Sequence, residues 1–218
     1  GGGVQDLTHQ NTFFATTWNH VAITRKGGLV HSYLNGIKST SSINVGTDDI
    51  KHGVSLLNIG DGGYELGGVT YSMNGYIDEF RFRKEAMYDG DFTPPTAPFT
   101  YVDYNTVLWL KFEGANGSTI FTDSSSQNNT ITRYGSPSIT TSNSKFGNSC
   151  LGINATSYLK INMSESFDIG AGQPFTIQMW LYITGGTGAY GGLISMRDAP
   201  VYCPIEVNIT NNGILETK

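Results

Sequence analysis

A chain of 218 residues with 12% aromatic and only 14% charged side chains, rich in Gly, Ser, Thr and Asn, has the composition of a β protein and excludes long helical domains. Its formal charge of −5, with Lys and Arg scattered, excludes the basic stripe that neutralises phosphates, so no nucleic-acid partner is expected. No apolar run approaches the ~20 residues that cross a bilayer as a helix, and no membrane insertion is expected.

Gly1-Gly2-Gly3-Val4 carries neither the charged nor the apolar region of a leader, and reads as the inside of a longer chain. Trp18 to Arg25 has the period of a strand, with Val21, Ile23 and Arg25 on one face and His20, Ala22 and Thr24 on the other. Lys26-Gly27-Gly28 turns it into a second strand, Val30 to Leu34. Asn35-Gly36 then makes a hairpin turn, since both residues tolerate positive φ, and Ile37 begins a third strand. Leu56 to Gly60 is a short strand ended by Asp61-Gly62-Gly63, and a second glycine-rich loop leads to Gly75. From Gly75 to Phe82, strict alternation puts Asp78 on one face with Phe80 and Phe82, and Glu79 and Arg81 on the other. A carboxylate on an apolar face must find a partner. Lys84 to Tyr88 is predicted to form one helical turn, and Thr93 to Pro98 an extended, semi-rigid linker.

A second run of strands follows. Val107 to Phe112 is continuous and apolar, Thr119 to Phe121 short, and Asp123 to Asn129 a turn-rich loop. Tyr158 to Ile161 is a strand. Phe175 to Ile183 has the clearest pattern: Phe175, Ile177, Met179, Leu181 and Ile183 face one way, Thr176, Gln178, Trp180 and Tyr182 the other. Leu193 to Met196 and Ile205 to Ile209 complete the set. Strands and glycine turns at short spacing predict an all-β antiparallel sandwich or jelly roll. Cys150 and Cys203 lie far apart without CxxC spacing or a nearby His, so two buried thiols are expected, with a disulfide as the alternative.

Several stretches resemble a known family. Trp18-Asn19-His20-Val21-Ala22-Ile23-Thr24-Arg25, Tyr33-Leu34-Asn35-Gly36, Leu57-Asn58-Ile59-Gly60 and Asn74 to Arg81 resemble the carboxy-terminal half of a laminin-G-like, concanavalin A-like jelly roll. Leu108 to Gly114, Phe121 to Ser125, Ser144 to Gly147 and Pro174 to Trp180 resemble its amino-terminal half. Asp91 to Phe99 resembles the exit of such domains where they stand in tandem in phage and marine-virus structural proteins. The expected organisation is therefore a carboxy-terminal half over 1–99, a linker over 100–106 and an amino-terminal half over 107–218. Either the chain spans parts of adjacent repeats, the favoured reading, or it is one domain whose halves are permuted. Half a jelly roll exposes an apolar face and open edges. Pairing of Phe175 to Ile183 with strands from 18–82 would favour the permuted form.

The resemblance extends to glucanases, which carry two glutamates around an aspartate on one strand. With Asp78 as that aspartate, Tyr76 and Arg81 stand where the carboxylates would be, and no enzyme is expected. Asp78 is expected to be structural, accepting from Arg25 or from backbone amides. No cofactor is expected, with calcium as an alternative at the loop residues Asp48, Asp49, Asp61 and Asp123. His9, His20, His31 and His52 show no triad or zinc spacing and are expected at the surface or in hairpins. For a glycan, Tyr64 and Tyr190 in glycine-rich loops could stack on a sugar, with Asp61, Arg197 and Asp198 as polar contacts. What the resemblance implies is a virion structural segment, of tail fibre or capsid surface, serving as scaffold and adhesin for a host-surface glycan. Its partners would be other virion subunits and copies of itself in a homo-oligomer. The alternative is an extracellular carbohydrate-binding module of a secreted or cell-surface protein.

Overall fold

The computed structural model describes residues 6–49, 56–66, 69–100, 103–185, 190–198, 202–210 and 212–217, apart from the side chains of 62–66, 69–71, 190, 197–198 and 202–204. Nine strands precede the proline-rich segment: β1 (Leu7–Thr12), β2 (Trp18–Lys26), β3 (Leu29–Leu34), β4 (Ile37–Lys38), β5 (Ile43–Asn44), β6 (Leu56–Ile59), β7 (Asp61–Leu66), β8 (Val69–Ser72) and β9 (Asn74–Arg83). Nine follow it: β10 (Thr106–Leu110), β11 (Ile131–Tyr134), β12 (Ser138–Thr140), β13 (Cys150–Ile153), β14 (Tyr158–Asn162), β15 (Phe175–Gly185), β16 (Tyr190–Asp198), β17 (Tyr202–Thr210) and β18 (Ile214–Thr217).

They form two sheets. The first runs β1-β18-β17-β16-β6-β14-β11, with β8 beside β16 and β7 beside β8; the second runs β12-β13-β9-β15-β2-β3-β4, with β10 on β9 and β5 on β3. All pairings are antiparallel except one contact between β8 and β16. The sheets enclose one apolar core, into which β15 sends Phe175, Ile177, Met179 and Leu181. Each such side chain contributes about 1.5–3 kcal/mol by leaving water.

Strands from the two halves of the chain interleave. In the second sheet β15 lies between β2 and β9, pairing Ile177 with Ile23 on one side and Phe82 on the other. In the first sheet β6 lies between β14 and β16. Strands of 1–99 and 107–218 thus share both sheets, and neither half has a closed core of its own. Residues 1–99 and 107–218 produced as separate chains are therefore expected to aggregate, and to give a folded complex only when mixed. Size-exclusion chromatography and far-ultraviolet circular dichroism would check this; a monomeric, folded fragment would contradict it.

Four local expectations are corrected. The glycine-rich stretch after Gly60 is not a loop but the hairpin of β7 and β8, which docks against β16. Lys84 to Tyr88 makes no helical turn, because its polar groups are drawn to the sheet: Met87 N–H donates to Thr176 Oγ1 (2.9 Å) and the Tyr88 hydroxyl to Gln178 Oε1 (2.6 Å). Thr119 to Phe121 is not a strand; Ile120 is exposed and has no core to face.

The fourth concerns β9. Gln178 and Trp180 are two residues apart on β15, but their partners Arg81 and Asp78 are three apart on β9. The extra residue is Glu79, whose φ of +52° marks a β-bulge. Ile77, Phe80 and Phe82 all stay in the core, while Asp78 shares the outer face with Arg81. Strict alternation would have placed the Asp78 carboxylate among apolar side chains, and the bulge avoids that cost. A positive φ at a non-glycine residue costs on the order of 1 kcal/mol.

The segment after β9 is also more than a linker. It returns across the outer face of the second sheet before β10 pairs beside β9. Phe92 N–H donates to Gly36 O (2.9 Å) and Lys38 N–H to Asp91 Oδ1 (2.8 Å). At Gly36, with φ +83°, an added Cβ would lie 1.9 Å from Phe92 O, so only glycine allows the approach.

Candidate functional site

The register of β2, β15 and β9 lays out the outer face of the second sheet in rows. Thr24, Thr176 and Arg83 form the first, Ala22, Gln178 and Arg81 the second, His20, Trp180 and Asp78 the third, and Trp18, Tyr182 and Tyr76 the fourth.

The strap of residues after β9 covers the first rows and the edge of the third. Tyr88 and Phe92 stack at 3.6 Å, and both rings stand edge-on to His20, at 6.3 and 5.6 Å. The Arg81 guanidinium lies 3.9 Å over the Phe99 ring. Burial lowers the His20 pKa to about 4, so the ring is neutral near pH 7. Gln178 Oε1 faces His20 Nε2 at 3.3 Å, which assigns the proton to that nitrogen. His20, in the β2–β3 hairpin, and His9, on β1, are both buried; His9 Nε2 reaches the Ile37 carbonyl at 3.0 Å.

The fourth row is different. Trp18, Tyr182 and Tyr76 are half-buried, and each neighbouring pair packs edge to face with centroids 5.7 Å apart. Rings held this way are oriented before any ligand arrives. Three adjacent strands at ~4.8 Å spacing give the row a length of roughly 10 Å. Beside it, Trp180 is 5% exposed, with Phe146 edge-on at 5.8 Å and Lys145 Nζ 4.0 Å over its ring.

Asp78 fixes that neighbouring loop. Its Oδ2 accepts the backbone N–H groups of Lys145 (2.9 Å) and Phe146 (3.0 Å). Arg25, the other partner considered for it, instead donates to the Asp48 carbonyl. Burial pushes the Asp78 pKa up to about 7, against the pull of the two amides, and the nearby Glu79 charge adds to the rise. Because of the bulge, Glu79 does not face away from Asp78 as alternation implied. It reaches Trp109, whose Nε1 donates to Glu79 Oε2 (2.9 Å), and burial raises its pKa too. The bulge also puts Tyr76, Asp78 and Arg81 on one face, where a glucanase would carry its carboxylates.

The residues expected to contact a glycan are spread over β7 and both ends of β16 in the first sheet. Asp61 begins β7, is 5% exposed and accepts from Ser72 Oγ (3.3 Å). Tyr64 lies within β7 and Tyr190 begins β16, near the β8 contact at Gly192. Arg197 and Asp198 sit at the far end of β16, opposite Leu56 and Tyr202. At ~3.3 Å per residue they are roughly 25 Å along the strand from Tyr190. The side chains of Tyr64, Tyr190, Arg197 and Asp198 lie outside the described residues. All five belong to the first sheet, away from the aromatic row.

Among the described residues no three of His, Cys, Asp and Glu converge where a metal could sit. Asp48 and Asp49 are exposed in the turn after β5, and Asp123 is engaged in its own loop. Cys150 is a buried free thiol whose Sγ lies 3.2 Å from the Asn143 carbonyl; burial pushes its pKa up to about 12. The Cys203 side chain lies outside the described residues.

Two antiparallel sheets closed over one core define an all-β sandwich, with ordered aromatic rings on an outer face. Residues 1–91 match the family model of the concanavalin A-like lectin/glucanases superfamily, a likeness that suggests a domain of the carbohydrate-binding or adhesion type, and the sandwich is consistent with a laminin-G-like jelly roll. No curated protein matches it.

Proposed function

We propose that this domain binds a glycan on the row Trp18, Tyr182 and Tyr76 and acts in adhesion without cleaving its ligand. The observation that carries the reading is the row itself: three pre-oriented, half-exposed rings on the part of the outer face beyond the strap. Aromatic rings bring large apolar area at small entropic cost, as a weakly amphipathic sugar face requires. The absence of hydrolysis is supported by Tyr76 and Arg81 at the glucanase carboxylate positions, and by the burial and hydrogen bonding of Asp78 and Glu79.

The wider setting in this proposal is a virion structural protein, of tail fibre or capsid surface, in which the domain is both scaffold and adhesin. Its support is the resemblance of Asp91 to Phe99 to the exits of tandem viral domains. The interleaving of β15 with β2 and β9 supports a permuted single domain as the structural unit.

A glycan array followed by calorimetry tests the binding. Tyr182→Ala, which removes the central ring while leaving the core face of β15 intact, is expected to weaken binding by about 2 kcal/mol, roughly thirtyfold, with little change in melting temperature. Binding that survives both Tyr182→Ala and Trp18→Ala would place the site elsewhere.

A further inference from the structure

The geometry points to an acidic sugar: we infer that the unit held on the aromatic row carries a carboxylate, and that Lys145 Nζ receives it. This rests on the glycan-binding reading above and names the class of ligand for that site.

Lys145 is a cation beside the open part of the face, as Lys111, 4.2 Å over the Trp109 ring, is on the far side of β9. Its Nζ lies 4.0 Å over the Trp180 ring and 5.5 Å from the Phe146 centroid. Trp180 precedes Tyr182 by two residues on β15, about 7 Å along the strand, so the ring that carries the ammonium belongs to the row next to the aromatic one. Its position is built, because its own backbone N–H and that of Phe146 are tied to Asp78. A cation over an aromatic face keeps its remaining N–H donors for a ligand.

The other charged groups around the site are engaged. Among the described residues the ion pairs involve Lys26, Lys38 and Arg83, and none takes in Lys145. Glu79 accepts from Trp109, and Arg81 packs on Phe99. Glu113, which follows β10 and meets the far end of that loop, accepts from Asn148 N–H and the Ser149 hydroxyl. Asp78 lies beneath the loop and is 1% exposed, so it presents no carboxylate to the surface.

An ammonium beside the aromatic row suits a ring bearing an acceptor-only group, and a carboxylate is such a group. The chain as a whole carries −5, so the attraction is local rather than a long-range field.

Calorimetry on the whole chain with oligogalacturonate, its methyl ester and a sulfated oligosaccharide tests this. The acid is expected to bind at least tenfold more tightly than the ester. Lys145→Gln should bring that ratio close to one, and Lys145→Arg should keep most of it. Asp78 is held by the backbone N–H groups of Lys145 and Phe146, which the Gln variant keeps, so that variant should fold as the parent does, with a small drop in melting temperature from the lost cation–π contact. An acid-to-ester ratio near one in the parent, or one unchanged in Lys145→Gln, overturns the inference even if Tyr182→Ala abolishes binding. A preference for the sulfated sugar over the carboxylated one overturns the carboxylate. If no glycan binds, or binding ignores Tyr182→Ala, the glycan reading itself fails.

Discussion

Asp78→Asn is expected to remove most of the loss of stability that the protein suffers as pH rises from about 4 to about 7. The sign follows from the carboxyl's environment. Its pKa is 3.8 when unperturbed and about 7 in the fold, chiefly because burial penalises the anion. A raised folded pKa means that the folded state binds the proton more tightly. The stabilisation is complete below the unfolded pKa and is lost as pH climbs through the folded one. For a group 1% exposed, a difference of this size corresponds to roughly 3–4 kcal/mol across the window. Asn has no proton to lose, and its Oδ1 can accept the amides of Lys145 and Phe146 as Asp78 Oδ2 does. The variant should therefore match the parent near pH 4 and exceed it at pH 8. Asp78→Ala is different: it strands two amide donors and should cost about 2–4 kcal/mol at pH 5. Urea titrations at pH 4, 5.5, 7 and 8 would decide the matter. Glu79 shifts in the same direction and contributes its own share of the slope, so Glu79→Gln is the control. An unchanged slope in Asp78→Asn would refute the assignment.

How much of this could be read from the sequence depends on the range of the interaction. The inward set of β15 and the hairpin at Asn35-Gly36 follow from local period and turn chemistry, and both are present. The aromatic row was half visible, since Trp180 and Tyr182 lie opposite the core set on β15. Its completion by Trp18 and Tyr76 depends on β2 and β9 flanking β15, a long-range fact that no local pattern contains. The Glu79 bulge was hidden for a related reason: alternation within one strand cannot show that its partner runs one residue short. Tyr64 and Tyr190 drew attention as aromatics among glycines, but glycine-rich strands and glycine-rich loops have the same composition. The strap was read as a linker from its prolines. What keeps it on the sheet is a set of contacts to Gly36, Thr176 and Gln178, far away in sequence.

Removal of the Asp123 carboxylate is expected to have the other large effect, and it also tests what that residue is for. As a loop aspartate it resembled a calcium ligand, yet both of its oxygens are taken by the chain. Oδ1 accepts the N–H groups of Trp109 (3.0 Å) and Ser125 (2.8 Å). Oδ2 accepts the Ser125 hydroxyl (2.8 Å), Asn129 N–H (2.9 Å) and Asn129 Nδ2 (2.8 Å). The side chain thus ties the 123–129 loop to β10, where Asn129 Nδ2 also reaches the Val107 carbonyl (2.8 Å). Asp123→Ala leaves the buried amides of Trp109 and Ser125 without that acceptor, and should cost about 3–5 kcal/mol. Asp123→Asn keeps an acceptor at one oxygen but turns the other into a donor facing donors, and should fall between. Calcium could reach this carboxylate only by displacing those hydrogen bonds, so neither calcium nor a chelator is expected to move the parent's melting temperature through it. Chemical denaturation of the three proteins, with and without 1,2-bis(2-aminophenoxy)ethane tetraacetate, separates the cases. A calcium-dependent gain in the parent that Asp123→Ala abolishes would show a metal ligand instead of a loop clamp.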